Sequence, residues 1–175
     1  MKNEYITKSA EETQNVGEEL GKSLQKGIII TLSGDLGYGK TTFVQGFAKG
    51  LGITHRIISP TFVVIRKYEI QIKNQIANNK NIHSKGSRVG TNPIVAEAKA
   101  DKEKLEIFYH IDLYRMQSVH ELESLGIKEI LEDPEAVVMI EWPEKLGELL
   151  PEERIDVKFE YLGEDRRRIS MEDIR

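Results

Sequence analysis

The chain has 175 residues, 25 Lys plus Arg against 29 Asp plus Glu, a formal charge of -4 and no cysteine. This length suits one domain, and the lack of cysteine excludes a disulfide framework, thiolate zinc sites and cysteine nucleophiles. The longest apolar runs are far shorter than the roughly 20 residues that cross a bilayer, and the polar start MKNEYITKSAEETQ lacks the apolar stretch of a secretion signal, so a cytoplasmic protein with no membrane contact is expected.

The first helical signal follows Ser9, where Val16, Leu20 and Leu24 recur four apart, Ser9 precedes Glu12 at capping-box spacing, and Gly27 offers a stop. Ile28 to Ser33 is a continuous β-branched apolar run, the pattern of a parallel strand covered on both faces. The glycine-rich GDLGYGKTT comes next, and then a helix in which Phe43, Phe47 and Leu51 share a face before Gly52. After SPT, the segments FVVIRKYEI and LEIFYHIDLYR are rich in β-branched and aromatic residues and predict paired strands. Residues 71–104 between them are Asn- and Lys-rich, without aromatics or clear periodicity, and predict a flexible insertion in a single domain spanning 1–175. Val119 to Glu132 has a helical pattern broken at Gly126, and AVVMIEW predicts a second buried strand. IDVKFEYL and RRISMEDI predict two alternating strands around a Gly-Glu-Asp turn.

Gly34 to Thr41, GDLGYGKT, matches the phosphate-loop pattern G-x-x-x-x-G-K-[ST] at every fixed position. Such a loop must leave a buried strand and open a helix, because backbone N–H groups and the helix N-terminus then converge on an anion. The flanking segments supply both. Glycines at 34, 37 and 39 permit left-handed backbone and close approach to phosphate. Lys40 would bridge the β- and γ-phosphates and the Thr41 hydroxyl would ligate Mg²⁺. Gly37, Tyr38, Gly39, Lys40, Thr41 and Thr42 are therefore the candidate nucleotide contacts. The expected fold class is α/β, a P-loop NTPase-like mixed sheet with flanking helices and added antiparallel strands.

Hydrolysis also needs a metal-ordering or water-ordering carboxylate at the end of a neighbouring buried strand. Asp112 after FYHI and Glu141 after VVMI both qualify, each with a strand-end cap or a solvated charge as its plainer explanation. Trp142 beside Glu141 is open to two readings, core packing or a wall facing the nucleotide. His110 on an alternating strand fits a packed or capped histidine better than a catalytic base.

GDLGYGKTTFVQGFAKGLG, SPTFVVIRKYE, HIDLYR, LESLGI and VMIEWPEKL, in this order and followed by a P-E-E-R-I strand, resemble the TsaE family of bacterial ATPases. That family acts in biosynthesis of threonylcarbamoyladenosine, the modified base beside the anticodon of tRNAs reading codons that begin with A. The resemblance covers nearly the whole chain except residues 71–104. It implies that Thr13 lies near the nucleotide and that Thr61 belongs to a switch-like loop, the alternative for Thr61 being the start of a strand. It implies that Asp112 and Glu141 order Mg²⁺ or the attacking water, and that Arg167 contacts the nucleotide, with Arg166 and Arg168 as its rivals.

The activity implied is a Mg²⁺-dependent ATPase, weak alone, hydrolysing ATP in concert with TsaB and TsaD proteins and meeting tRNA indirectly through that complex. Catalysis would be mainly electrostatic, with Lys40, the loop amides and Mg²⁺ holding the charge of the transferred group while Glu141 or Asp112 orients water. A small-molecule or nucleoside kinase is the alternative, weakened because the one long excursion holds a single arginine, Arg88, where a kinase lid needs several. A nucleotide-gated binding module without turnover is the third reading. The excursion carries seven basic and three acidic residues, leaving 18 basic against 26 acidic in the rest. The body is thus unsuited to coating nucleic acid, and any direct RNA contact is expected at the insertion.

Overall fold

The computed structural model describes residues 2–24, 27–70 and 107–174, and the insertion expected at 71–104 lies outside the described residues. In chain order the elements are β1 (Lys2–Thr7), α1 (Ala10–Ser23), β2 (Ile28–Ser33), α2 (Lys40–Gly50), β3 (Ile65–Glu69), β4 (Ile107–Asp112), α3 (Val119–Ser124), α4 (Ile127–Leu131), β5 (Ala136–Glu141), β6 (Arg154–Gly163) and β7 (Arg166–Ile174). A 3-10 segment over Pro143–Leu149 follows β5. Seven strands form one sheet in the order β1-β7-β6-β2-β5-β4-β3. β2 runs parallel to β5 and β6, and β5 parallel to β4, while β3 at one edge and β7 and β1 at the other are antiparallel. This is the mixed α/β sheet with added antiparallel strands that the sequence pattern implies.

Alternation along the strands sorts side chains into two faces. Ile30 and Leu32 of β2, Phe108 of β4, Met139 of β5 and Phe159 of β6 pack with Phe43 and Phe47 of α2. Ile111 of β4 and Val138 and Ile140 of β5 face the opposite way, against Leu122, Ile127 and Leu146. Two aromatic pairs, Phe43 on Phe159 and Phe47 on Phe108, each with ring centroids 5.5 Å apart, fix the helix that carries Lys40. Pairs of this kind add about 0.5–1.5 kcal/mol to the burial of the rings themselves.

Local chemistry accounts for the element ends. Ser9 caps α1, its hydroxyl accepting from the Glu12 N–H at 3.0 Å, and the Glu12 carboxylate accepts from the Lys8 N–H at 2.6 Å. Gly126, at φ 71°, separates α3 from α4 where the helical pattern breaks. The strand expected from Phe62 begins only at Ile65, because the Pro60 carbonyl accepts from both Val63 and Val64 N–H and turns the chain there. β1 has no apolar alternation to announce it, since only its last residue, Thr7, is buried.

The tightest helix contact is made by glycine. Gly17 and Gly21 of α1 face Gly46 and Gly50 of α2 at four-residue spacing, and backbone lies against backbone. A Cβ on Gly46 would fall 1.9 Å from the Gln14 carbonyl oxygen, and one on Gly17 would fall 2.3 Å from that of Phe43. Gly46→Ala would gain about 1 kcal/mol of propensity in an isolated helix. Here it is expected to destabilise the protein by about 1–3 kcal/mol through overpacking; urea unfolding measures the difference, and a more stable variant would contradict the close approach.

Candidate functional site

β2, β5 and β4 end side by side. Leu32 is in register with Glu141, and Glu141 with Asp112. Glu141 has the parity of Met139, and Asp112 that of Phe108, so both carboxylates lie on the face covered by α2. Both are buried, at 3% and 4% exposure.

The glycine loop leaves β2 on the same edge. Gly39 has φ 101° and sits at the N-cap of α2, whose first turn carries no acidic residue and, among the described residues, has no side-chain cap on its amides. Nothing lies within 4 Å of the position a Cβ would take on Gly37, which leaves that side of the loop open. Tyr38 rests near Tyr161, with centroids 6.0 Å apart, and its hydroxyl is shifted above the ordinary phenol range by a hydrogen bond to Asp35. Thr42 is half-buried in the first turn of α2.

Lys40, 4% exposed, donates to the carbonyls of Gly34 at 2.7 Å and Asp35 at 3.0 Å, with its ammonium 4.4 Å from the Trp142 ring centre. Burial pushes its pKa below the ordinary lysine range, opposed by the negative charges of Glu141, Asp112, Asp35 and Glu144. The Thr41 hydroxyl donates to Glu141 Oε1 at 3.3 Å, and His110 Nε2 lies 2.9 Å from the same oxygen. The Asp112 carboxylate is held by Thr61 Oγ1 at 2.5 Å, Ser59 Oγ at 3.1 Å and the Tyr114 N–H at 3.0 Å. Thr61 thus sits in a turn bound to Asp112 rather than at the start of a strand. Val64, at φ 66°, ends that turn in a conformation costing a β-branched residue about 1–3 kcal/mol. Its carbonyl accepts from the Asp112 N–H at 2.9 Å, tying the turn to β4.

On the other side of the loop, Arg167 Cδ and Nε lie 3.2 Å from where a Cβ on Gly39 would stand, and Thr13 Cγ2 lies 3.7 Å from it. Thr13 donates to the Ser9 carbonyl at 3.0 Å and is 2.9 Å from the Thr7 hydroxyl. Arg166 pairs with Glu164, and Arg168 with Glu4 and Glu160, so of the three arginines Arg167 is the one against the loop. Alternation explains the choice: Arg167 shares the parity of the inward-facing Ile169 and Met171. That signal was available in RRISMEDI. Ser59, Thr7 and the His110–Glu141 contact had no such signal, because each depends on strand pairing or a turn that the linear pattern does not specify. Trp142 packs in the second core cluster and against Tyr114, at 5.1 Å between centroids, and its ring also faces the Lys40 ammonium. Every candidate residue therefore lies around one sheet edge, in two groups that meet at the glycine loop.

A glycine loop running from a buried parallel strand into a helix that opens with Lys-Thr, beside two strand-end carboxylates, defines a P-loop NTPase-like protein. The family pattern described as Threonylcarbamoyl adenosine biosynthesis protein TsaE matches residues 7–83 and 90–169, its break falling inside the 71–104 stretch and narrower than it. The chain is 34% identical to the tRNA threonylcarbamoyladenosine biosynthesis protein TsaE of Bacillus subtilis over 166 residues, covering 95% of this chain and 82% of that protein. It is 32% identical to the protein of the same description from Borreliella burgdorferi, covering 91% and 92% of the two chains. A crystal structure of YdiB from Bacillus subtilis superposes with a TM-score of 0.69 at 27% identity, covering all of this chain and 87% of that one. The chain belongs to the TsaE family, the proteins described as acting in tRNA threonylcarbamoyladenosine biosynthesis. Among the described residues no helix is long and apolar enough to cross a membrane.

The depressed Lys40 pKa has a stability consequence. An unfolded chain holds this proton up to about pH 10.4, whereas the folded protein releases it at lower pH, so the unfolded state binds more protons in between. Lys40 therefore costs stability below its folded pKa, and that cost fades as pH rises through the alkaline window. The stability difference between wild type and Lys40→Met, from urea unfolding between pH 7 and about 10.4, should move in favour of the wild type as pH rises; a flat or opposite trend would show that the ammonium is not desolvated.

Proposed function

We propose that this protein is a Mg²⁺-dependent ATPase of tRNA threonylcarbamoyladenosine biosynthesis, hydrolysing ATP in concert with a TsaB–TsaD complex and meeting tRNA through that complex. The observation that carries the reading is the convergence of Lys40, Thr41, Glu141 and Asp112 at one buried edge, with Thr41 and Glu141 already in contact at 3.3 Å. Membership of the TsaE family supports the pathway, and the geometry of the site supports the chemistry.

The donor set fits Mg²⁺. This ion takes one or two protein oxygens and completes its shell with phosphate oxygens and water. A hydroxyl beside a buried carboxylate meets that need, and the described residues contain no cluster of three metal-type side chains that would suit a protein-only cage. Mg²⁺, when bound, neutralises charge on the phosphate oxygens. Thr41 and Glu141 would hold it, with Asp112 one strand away to hold it or a water.

The remaining chemistry belongs to this chain. Lys40 exchanges its bonds to the Gly34 and Asp35 carbonyls for phosphate oxygens and holds the charge that spreads over them during transfer. The amides of Gly37, Tyr38, Gly39 and the first turn through Thr42 cradle the phosphates. Glu141 or Asp112 orients the attacking water. Thr13 and Arg167, flanking Gly39, contact the nucleotide, and Thr61 links the phosphate end of the site to the surface, where Phe62 is 82% exposed and capped by Arg115.

Phosphate release from ATP, measured with and without TsaB and TsaD, tests the reading. Release is expected to be slow for the protein alone and to rise with both partners, and Lys40→Ala is expected to lower the stimulated rate by about 100-fold or more. A rate indifferent to partners sinks the coupling. Equal background rates for wild type and Glu141→Ala, with ATP still bound, make the protein a nucleotide-gated binding module instead, and transfer of phosphate to a metabolite makes it a kinase.

A further inference from the structure

His110 has no role in the function proposed above, yet it is among the most confined polar side chains in the protein. Its imidazole is 0% exposed, and Nε2 lies 2.9 Å from Glu141 Oε1. The contact crosses two strands. His110 stands in register with Met139, and Asp112 with Glu141, so the imidazole reaches diagonally along the shared face to a carboxylate one pleat further on. Phe108, on the same face of β4, backs the ring, with planes 10° apart and centroids at 6.4 Å.

The proton assignment follows from the surroundings. His110 Nδ1 is buried with no hydrogen-bond partner among the described residues. A proton on Nε2 makes the ring a donor to Glu141 and leaves a bare lone pair at Nδ1. The other tautomer would set a lone pair against a carboxylate and strand a buried N–H, two penalties in place of one. Both Thr41 and His110 address Oε1, so the second oxygen of Glu141 is not consumed by these contacts. A glutamate side chain is flexible, whereas the imidazole donor rides on a central strand and cannot follow it.

We propose that His110 is a positioning residue: its Nε2–H holds the Glu141 carboxylate in the orientation needed to ligate nucleotide-bound Mg²⁺. The proposal rests on the Mg²⁺ and ATP reading above. Outer partners of this kind, when removed, weaken metal binding or activity roughly 10–100-fold.

The test uses three variants of the full chain. His110→Gln can place an amide nitrogen near the Nε2 position, His110→Asn places its donor nearer Nδ1, and His110→Leu removes it. The readout is the gain in ATP affinity on adding Mg²⁺, the ratio of dissociation constants in EDTA and in excess MgCl₂ by calorimetry, with thermal unfolding run on each variant. His110→Leu and His110→Asn are expected to lower that ratio by about tenfold while affinity in EDTA stays within about twofold, and His110→Gln to recover most of the loss. If His110→Leu does not fold, the contrast between Gln and Asn decides. Equal ratios in wild type and the Asn or Leu variants overturn the proposal, as does a Gln variant no better than Asn, or a wild type with no Mg²⁺-dependent gain. Failure of the ATPase reading looks different: no phosphate release from wild type with TsaB and TsaD, while the ratio still separates Gln from Asn.

Discussion

Two carboxylates and an ammonium are held almost out of water at the ends of three adjacent parallel strands, and much of the architecture answers to that constraint. Lys40, Asp112 and Glu141 are each 3–4% exposed. An unpaired ion in such a place costs several kcal/mol, so each must find partners whose positions are fixed by something else. Lys40 takes two carbonyls of its own loop, Asp112 takes Ser59, Thr61 and the Tyr114 N–H, and Glu141 takes Thr41 and His110. These partners come from the glycine loop, α2, the 59–64 turn, β4 and the residues just after it. The site exists only where those segments meet.

Holding α2 in place is the second half of the problem, and glycine solves it where a larger residue could not. Close backbone approach between α1 and α2 brings Thr13 to the start of α2, within reach of Gly39. β1 then completes the arrangement through Thr7, in register with Arg167 and hydrogen-bonded to Thr13. The opposite face of β6, β7 and β1 is a solvated lattice of opposite charges, Arg154 with Asp156, Lys158 with Glu160, and Arg168 with Glu160 and Glu4. Exposed pairs of this kind each contribute about 0–1 kcal/mol. Their value here is to keep polar a sheet face that none of the α-helices α1–α4 covers. The acidic balance of the chain outside residues 71–104 is therefore no guide to the local field at the site, where an ammonium stands among carboxylates.

The linear pattern carried the parts of this arrangement that depend on short range. The glycine loop, β2, α2 and the apolar strands β4 and β5 were legible because each is specified by a motif or a run of buried residues. Asp112 and Glu141 stood out because each ends such a run. What the pattern could not carry was register. No spacing within HIDLYR says that His110 will reach the carboxylate of IEWP, since that depends on β4 lying parallel to β5 with Asp112 opposite Glu141. β1 was invisible for a different reason: an edge strand exposed on nearly every residue has no hydrophobic signature. The late start of β3 reflects competition between β propensity in Phe62, Val63 and Val64 and a turn anchored by the Pro60 carbonyl and the Asp112 carboxylate, and the anchored turn prevails. Arg167 is set apart from Arg166 and Arg168 by the parity of Ile169 and Met171, a signal that a run of three like charges hides.

The bonds that satisfy these charges also link the site to the surface. Asp112 is held by the two hydroxyls of a turn whose next residue, Phe62, is 82% exposed and whose last, Val64, is strained at φ 66°. A ligand that draws the Asp112 carboxylate toward a metal or a water must compete with Ser59 and Thr61 for it, and the turn gains freedom to the extent that the ligand wins. A protein that seated on Phe62 would act on the same hydrogen bonds from the other end. By linkage the two effects are reciprocal: whatever free energy the ligand spends on moving the turn, a partner that prefers the moved turn returns to ligand binding. Lys40 is engaged in the same way, and an anion that took its ammonium would have to displace two loop carbonyls and weaken its contact with Trp142. An arrangement whose charges are already satisfied internally gains only a difference in free energy from any ligand that replaces those contacts.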